Sequence, residues 1–367
     1  MINNLFMTGL CVKIKPFAHL ALFNMAFQTT IQPSGHSFPI ESHETILEAA
    51  IRHGYTLPYS CRDGVCGTCK GKVLQGQVDY GKHQDSTLTD LEKIAGMALF
   101  CCAKPLSDLI IECREVNAIN DIPVKTLPCR VQEMHRPAPD VMVLSLKLPA
   151  NERLQFMAGQ YIDILLKDQN SRSFSLANAP HDDEFLELHI RNIAGGEFTR
   201  HVFETMKPRD ILRFRGPLGT FFLREDTDKP IIFVASGTGF APIKAIIEHA
   251  LFIGIKRPMH FFWGGRKLAD LYMLDKAREW ENRGIKFTPV LSEALPEDAW
   301  QGRTGFVHRA VLEDYSDLSG YEVYACGAPV VVEAAQRDFI SQRNLPNEAF
   351  FSDAFTFSPK NQDAGSS

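Results

Sequence analysis

The residues that carry the most chemistry in this chain are cysteines. Cys61-Arg-Asp-Gly-Val-Cys66-Gly-Thr-Cys69 sets three thiols at C-x4-C-x2-C spacing, and Leu99-Phe100-Cys101-Cys102 supplies two more further along. Four thiolates are what a two-iron cluster needs, and a tight loop bearing three of them with a distant fourth provides that set. Gly64 and Gly67 lack side chains, so the loop can curl around the sulfurs and aim backbone N–H groups at a negatively charged cluster. The spacing leaves both Cys101 and Cys102 open as the fourth ligand. A redox pair made of Cys66 and Cys69 alone would need a surrounding βαβ unit, and a zinc site would more often use two C-x2-C knuckles; the sequence offers neither.

Glycines mark the next set of residues. Ser236-Gly237-Thr238-Gly239-Phe240-Ala241-Pro242 follows the apolar run 231–235 and reads as strand, glycine turn and helix. A pyrophosphate can approach the bare backbone there and sit against the helix N-terminus. The third glycine of the dinucleotide fingerprint is missing, so a plain strand-to-helix turn fits the same residues. Gly195-Gly196-Glu197-Phe198-Thr199 likewise precedes a helical pattern whose N-terminal amides suit a diphosphate. There is no H-E-x-x-H zinc site, no G-x-S-x-G elbow and no P-loop.

These residues need elements to hold them, and the 367 residues divide into blocks of different texture. An N-terminal extension, 1–24, is apolar but interrupted by Lys13, Lys15 and Pro16, with no cleavage site after it; translation starting at Met25 is the simpler reading. Block 25–116 has short β-rich runs and one helical pattern at 44–53. Residues 117–128 read as a linker. In block 129–226, runs such as 141–148, 161–166 and 185–191 alternate at period two, which predicts an antiparallel barrel or sandwich. Block 227–357 alternates strands at 231–235, 259–263, 286–291, 322–325 and 350–357 with helical patterns at 242–253, 271–283 and 330–342, which predicts a parallel sheet. Residues 358–367 read as a flexible tail. With 39 Lys plus Arg against 44 Asp plus Glu, a net charge of −5, a nucleic-acid surface is not expected. No apolar run approaches the ~18 residues of a transmembrane segment. Nine cysteines, five of them between Cys61 and Cys102, point to metal binding in the reducing cytoplasm rather than to disulfides.

Block 25–116 resembles the plant-type 2Fe-2S ferredoxins, an α+β ferredoxin-like β-grasp fold, through the cysteine loop, the helix before it and Lys104-Pro105-Leu106-Ser107-Asp108 after it. The resemblance implies Cys61, Cys66, Cys69 and Cys101 as ligands, with Cys102 the rival fourth. Arg172-Ser173-Phe174-Ser175 resembles the Arg-x-Tyr-Ser motif of the ferredoxin-NADP reductase superfamily, whose flavin domain is an antiparallel β-barrel. By that resemblance Arg172 and Ser173 bind FAD, Phe174 packs on the isoalloxazine and the Ser175 hydroxyl bonds N5. Phe174 replaces the family's tyrosine and lacks its hydroxyl. Gly195, Gly196 and Thr199 fall at the family's diphosphate segment, and Gly216-Pro217-Leu218-Gly219 at its barrel-closing turn. The superfamily's pyridine-nucleotide loop matches Gly237, Thr238, Gly239 and Pro242, and its second motif matches Cys326 and Gly327, on an α/β doubly wound parallel sheet. Arg266 falls at the adenosine ribose, and Asp270-Leu271-Tyr272 resembles the NADH users, so NADH is expected, with NADPH the alternative. Asp353 and Phe355 fall where relatives place an acid and a ring near the flavin. Ser175, Cys326, Asp353 and Phe355 are thus the expected catalytic residues.

A hydride carries two electrons, a two-iron cluster accepts one and a flavin handles either, so the three blocks form a converter from paired to single electrons. Over most of 25–357 the chain resembles bacterial iron-sulfur flavoprotein reductases with the order ferredoxin, FAD domain, NAD domain. Within them Met25-Ala26-Phe27-Gln28, the 100–105 stretch and Asp353-Ala354-Phe355 most resemble the CDP-6-deoxy-Δ3,4-glucoseen reductases. That resemblance implies a one-electron-accepting protein partner, an iron-sulfur dehydrase. The alternatives are a reductase component of a phenol, methane or aromatic-ring oxygenase, a partner-free flavin or ferric reductase, and a non-enzymatic iron-sulfur scaffold.

Overall fold

The computed structural model describes residues 26–116, 122–167 and 170–355. The extension 1–24, residues 117–121 of the expected linker and the tail 358–367 lie outside the described residues.

The first unit is a five-stranded sheet in the order Ser37–Glu41, Ala26–Gln32, Leu109–Glu112, Lys70–Gln75, Met97–Leu99. Ala26–Gln32 and Leu109–Glu112 run parallel and the other pairs antiparallel, the mixed sheet of a β-grasp fold. Its helix, Ile46–Arg52, starts later than the pattern at 44–53 predicts because Thr45 and Glu48 form a reciprocal cap. Glu44 stands outside the helix and pairs with Arg52 at 2.7 Å. The buried face of Ile46, Leu47, Ala49 and Ala50 packs on the sheet. The Ile46 and Leu47 amides, free at a helix start, donate to Ala103 O and Phe100 O at 2.9 Å. The helix thereby fixes the segment that carries Cys101 and Cys102.

The second unit is a six-stranded antiparallel sheet, Ser171–Ser175, Tyr161–Leu165, Ile211–Leu218, Lys125–Ala138, Val141–Lys147, Leu186–Arg191. A bridge between Leu176 and Leu188 joins its two edges and closes the barrel. Inward residues such as Leu144, Leu146, Ile162, Ile164, Leu188 and Phe214 fill it. Lys125–Ala138 begins within the stretch read as linker, because residues 125–130 pair with 211–216.

In the third unit six parallel strands run in the order Arg303–Thr304, Lys286–Leu291, Met259–Gly265, Ile231–Ser236, Glu322–Gly327, Phe350–Ala354. Alternation within the central strand sends Ile231, Phe233 and Ala235 to one face, under Phe240–Phe252, and Ile232 and Val234 to the other, under Val307–Asp314 and Pro329–Arg343. The helical pattern at 271–283 is interrupted. Asp270 turns its carboxylate onto the Arg266 and Lys267 amides, and the regular helix is only Leu274–Glu279 before a 3-10 turn at Trp280–Arg283. The Val307–Asp314 helix is not anticipated by the sequence reading, and the last strand ends at Ala354, short of 357.

Candidate functional site at the junction of three units

The cysteine loop lies on the first unit. Gly64 has φ +71°, and a Cβ there would stand 2.8 Å from both Cys102 Sγ and Lys82 O, so only glycine fits. Amides of Asp63 and Cys66 donate to Cys61 Sγ at 3.4 Å. The Cys61 side chain neighbours Cys66, and Cys101 neighbours both Cys69 and Cys102. Among the described residues no three His, Cys, Asp or Glu side chains converge as a single ion requires. Thiols from the 61–69 loop facing those of the 101–102 segment, with amide donors aimed at Cys61 Sγ, are a donor set that fits a two-iron cluster. The Cys66 side chain, opposed by burial, draws the Cys61 thiol down to about 7. Cys102 is half-buried with Sγ 3.5 Å from Cys101 Sγ, whereas Cys101 is buried and neighbours both Cys102 and Cys69. Burial pushes the isolated Cys113 and Cys129 thiols up to about 12.

On the barrel, period-two alternation along Ser171–Ser175 sets Arg172 and Phe174 on one side and Ser173 and Ser175 on the other. Arg172 Nη1 donates to Ser171 O at 2.7 Å, Ser173 Oγ to Asp163 at 2.6 Å, and the Phe174 ring lies 5.4 Å from Phe198. The latter opens the Glu197–Glu204 helix behind Gly195 and Gly196. Thr199 Oγ1 accepts from Ile193 N–H at 3.2 Å and so ties that turn.

The two glycine loops of the parallel sheet are interlocked. A Cβ on Gly239 would stand 2.2 Å from Cys326 O, and one on Gly327, at φ +126°, would stand 2.3 Å from Ser236 Oγ. Ala328 N–H donates to Ser236 Oγ at 2.8 Å, and Trp263 Nε1 to Gly237 O at 3.0 Å. Thr238 is half-buried between the glycines and Pro242 is buried in the helix that follows. Cys326 is buried beside Asp353 in strand register, and Phe355 N–H donates to Gly327 O at 2.8 Å. Arg266 is exposed and leans on Asp270 at 3.5 Å. Burial opposes ionisation of Asp270, but the Lys267 and Arg266 amides and the Arg191 cation hold its carboxyl below the usual range.

The units meet at Asp353. Its carboxylate accepts from Ser60 Oγ, next to Cys61, and from Ser175 Oγ at 3.3 Å. Burial pushes the carboxyl upward against the pull of those hydroxyls. Nearby, Tyr161 O–H donates to Ser60 O at 2.9 Å, Thr220 N–H to Tyr59 O at 3.2 Å and Tyr59 N–H to Thr220 Oγ1 at 2.9 Å. Thr68 Oγ1 reaches Ser352 O at 3.4 Å. The structure thus gathers Ser175, Cys326, Asp353 and Phe355 around the segment that leads into the cysteine loop.

Sequence reasoning misses several groups here. Ser60, Tyr161 and Thr220 carry no motif; their partners lie about a hundred or more residues away. Arg191 spans the barrel and the parallel sheet through Asp140 at 3.4 Å and Asp270 at 3.2 Å. Its Nε and Nη2 are buried without a protein acceptor, and a Cβ on Gly237 would lie 3.5 Å from Nη2. Lys244, buried in the Phe240–Phe252 helix, reaches Ala177 O at 3.0 Å, Glu187 at 3.3 Å and Glu248 at 3.0 Å. Despite burial, His189 and Lys244 hold the Glu187 carboxyl down at about 2. The charge on Arg191, just before the Gly195-Gly196 turn, is the one signal that could have flagged any of them.

Comparison with known proteins gives matches to all three units. Residues 29–106 match the 2Fe-2S iron-sulfur cluster binding domain, 128–223 the oxidoreductase FAD-binding domain and 233–337 the oxidoreductase NAD-binding domain. A CDP-6-deoxy-L-threo-D-glycero-4-hexulose-3-dehydrase reductase of Yersinia pseudotuberculosis is 40% identical over 333 residues, 90% of this chain and 99% of that one. The phenol hydroxylase P5 protein of Acinetobacter pittii is 35% identical, over 90% of this chain and 96% of its own length. Among solved structures, the Amycolatopsis cytochrome P450 reductase GcoB superimposes with a TM-score of 0.70 at 34% identity, covering 90% of this chain and 99% of that one. Among the described residues no helix is long and apolar enough to cross a membrane. The chain belongs to the family of 2Fe-2S flavoprotein reductases that join a ferredoxin domain to FAD-binding and NAD-binding domains, and it is an NAD(P)H-dependent electron-transfer oxidoreductase.

Proposed function

We propose that this reductase works in the cytoplasm and delivers single electrons to an iron-sulfur dehydrase acting on a CDP-linked 6-deoxy-hexulose. The observation that carries the electron-transfer half is Asp353, a single buried carboxylate that bonds the residue before Cys61 and the serine that ends the Ser171–Ser175 strand. The acceptor rests on the greater likeness to the dehydrase reductase, 40% against 35% for the phenol hydroxylase protein. When bound, FAD takes an electron pair from the reduced nicotinamide and releases electrons singly, and the cluster carries them onward.

The chain's own residues divide the remaining work. Cys61, Cys66, Cys69 and Cys101 hold the irons. Arg172 and the Gly195-Gly196 turn, tied by Thr199, bind the FAD diphosphate, while Ser173 braces the strand through Asp163 and Phe174 backs the flavin ring. Ser175, whose hydroxyl donates to Asp353 at 3.3 Å, would turn that hydroxyl toward the flavin N5 when FAD is bound. Gly237, Thr238 and Gly239 receive the coenzyme diphosphate, which Arg191 meets with its spare N–H groups, ahead of the helix carrying Pro242. Cys326, Gly327 and Phe355 shape the nicotinamide site. Asp270 beside Arg266 would repel a 2′-phosphate, which favours NADH. The ferredoxin unit spans 25–116 and the nicotinamide unit 227–357, and the barrel unit, expected over 129–226, starts at Lys125, where its strand Lys125–Ala138 begins.

The test pairs two measurements. Cys61→Ser abolishes NADH-driven reduction of a one-electron protein acceptor and spares NADH bleaching of the flavin; equal loss of both refutes the order of transfer. Reconstitution with the purified dehydrase and with an oxygenase component then decides the acceptor, and turnover with the oxygenase alone overturns the dehydrase reading.

A further inference from the structure

The segment Tyr59-Ser60-Cys61 is held from outside its own unit at every residue that could move the first cysteine. The Tyr59 backbone makes three bonds with Thr220 of the barrel: its N–H donates to Thr220 Oγ1 at 2.9 Å, and its O accepts from Thr220 N–H at 3.2 Å and from Thr220 Oγ1 at 3.0 Å. Ser60 O accepts from Tyr161 O–H at 2.9 Å, again from the barrel. The Ser60 hydroxyl, however, goes to neither unit's backbone. It bonds the Asp353 carboxylate on the last strand of the parallel sheet, whose other oxygen takes Ser175 Oγ at 3.3 Å. Ser60, Ser175 and Asp353 are 4%, 7% and 5% exposed, so water does not compete for these bonds.

We infer that Ser60 is a positioning residue for electron transfer, locking the cluster loop to the flavin site through Asp353. This rests on the electron-transfer reading above. From Ser175 Oγ to Cys61 the connection consists of two hydrogen bonds, one carboxyl group and one peptide unit. The path is short, buried and shared by all three units. A serine here does what alanine cannot, because the neighbouring bonds at Tyr59 and Ser60 O tie the segment to the barrel alone, and the loop's other tie to the parallel sheet, Thr68 Oγ1 to Ser352 O at 3.4 Å, lies on the far side of Cys66. Transfer over a fixed gap depends steeply on position, as with other reactions whose partners must be pre-placed.

The test uses the holoenzyme with NADH and follows flavin bleaching and cluster reduction as separate signals in stopped flow. Ser60→Ala slows cluster reduction about tenfold, a factor equal to about 1.4 kcal/mol in the barrier. Ser60→Thr, which keeps the hydroxyl, restores it. In an Asp353→Ala background the further change Ser60→Ala alters the rate by less than about twofold, since the partner is already gone. Amide exchange at residues 59–61 in the oxidised holoenzyme rises in Ser60→Ala and not in Ser60→Thr. Wild-type cluster reduction in Ser60→Ala, a threonine variant as slow as alanine, or an unchanged tenfold loss in the Asp353→Ala background each overturns the inference. Should Ser60→Ala lose its cluster, Asp353→Ala removes the same bond from the other side, and cluster reduction at the wild-type rate after flavin bleaching refutes it. Failure of NADH to bleach the wild-type flavin overturns the underlying reading instead.

Discussion

Gly239→Ala asks whether the two coenzyme loops hold each other in place. A Cβ at 239 would stand 2.2 Å from Cys326 O, 2.5 Å from Cys326 C and 2.8 Å from Gly327 N, all backbone atoms that cannot rotate aside. Gly239 has φ −58°, so alanine meets no torsional penalty and the cost is collision alone. Forcing a methyl into a filled site costs about 1–3 kcal/mol. The unfolded chain returns up to about 1 kcal/mol when glycine becomes alanine, which leaves a net loss of about 0–2 kcal/mol. Gly254→Ala is the matched control. It has no atom within 4 Å but φ +77°, at the far end of the same helix, so it carries torsional strain of about 1–2 kcal/mol without collision. Calorimetry should show the two variants destabilised alike. Stopped-flow bleaching of the flavin against NADH concentration should separate them, because only Gly239→Ala displaces the Gly237–Gly239 turn from Cys326 and Gly327. The NADH concentration for half-maximal reduction rises about tenfold for every 1.4 kcal/mol of loop displacement. If Gly239→Ala keeps the wild-type NADH dependence, residues 237–239 are not the coenzyme loop.

Cys102→Ala retains the cluster's visible absorbance while Cys101→Ser loses it; the reverse pattern would make Cys102 the fourth ligand. Glu187 titrates at about 2 in the folded chain against an ordinary 4.5, so its contribution to stability is full above 4.5 and lost as pH falls toward 2. Glu187→Gln therefore flattens the acid limb of the melting-temperature profile between those values, and an unchanged slope refutes the Lys244 and His189 contacts as its cause.

Both the cluster loop and the fold class were legible because each depends on residues close in sequence. C-x4-C-x2-C spacing, period-two runs and the strand–glycine–helix rhythm are local, and the three units follow from them. The junction was not legible. Ser60 and Asp353 are 293 positions apart, and a serine before a cysteine looks like any loop residue. Asp353 itself was named, but as an acid near the flavin, with no sign that the ferredoxin unit would claim its other oxygen. The helix read over 271–283 starts late, at Leu274, for a similar reason: Asp270 spends its carboxylate on the Arg266 and Lys267 amides, which side-chain periodicity cannot register. Arg266 was placed at the adenosine ribose with no sign that Asp270 would stand beside it at 3.5 Å.

The separation of 293 positions between Ser60 and Asp353 also fixes an order of events at the ribosome. At typical synthesis rates about 15–60 s pass between the two residues. The ferredoxin unit, whose sheet is finished at Leu109–Glu112, is completed early in that interval, while the last strand, Phe350–Ala354, does not yet exist. The loop is thus made long before the Ser60–Asp353 and Thr68–Ser352 contacts that tie it to the parallel sheet can form.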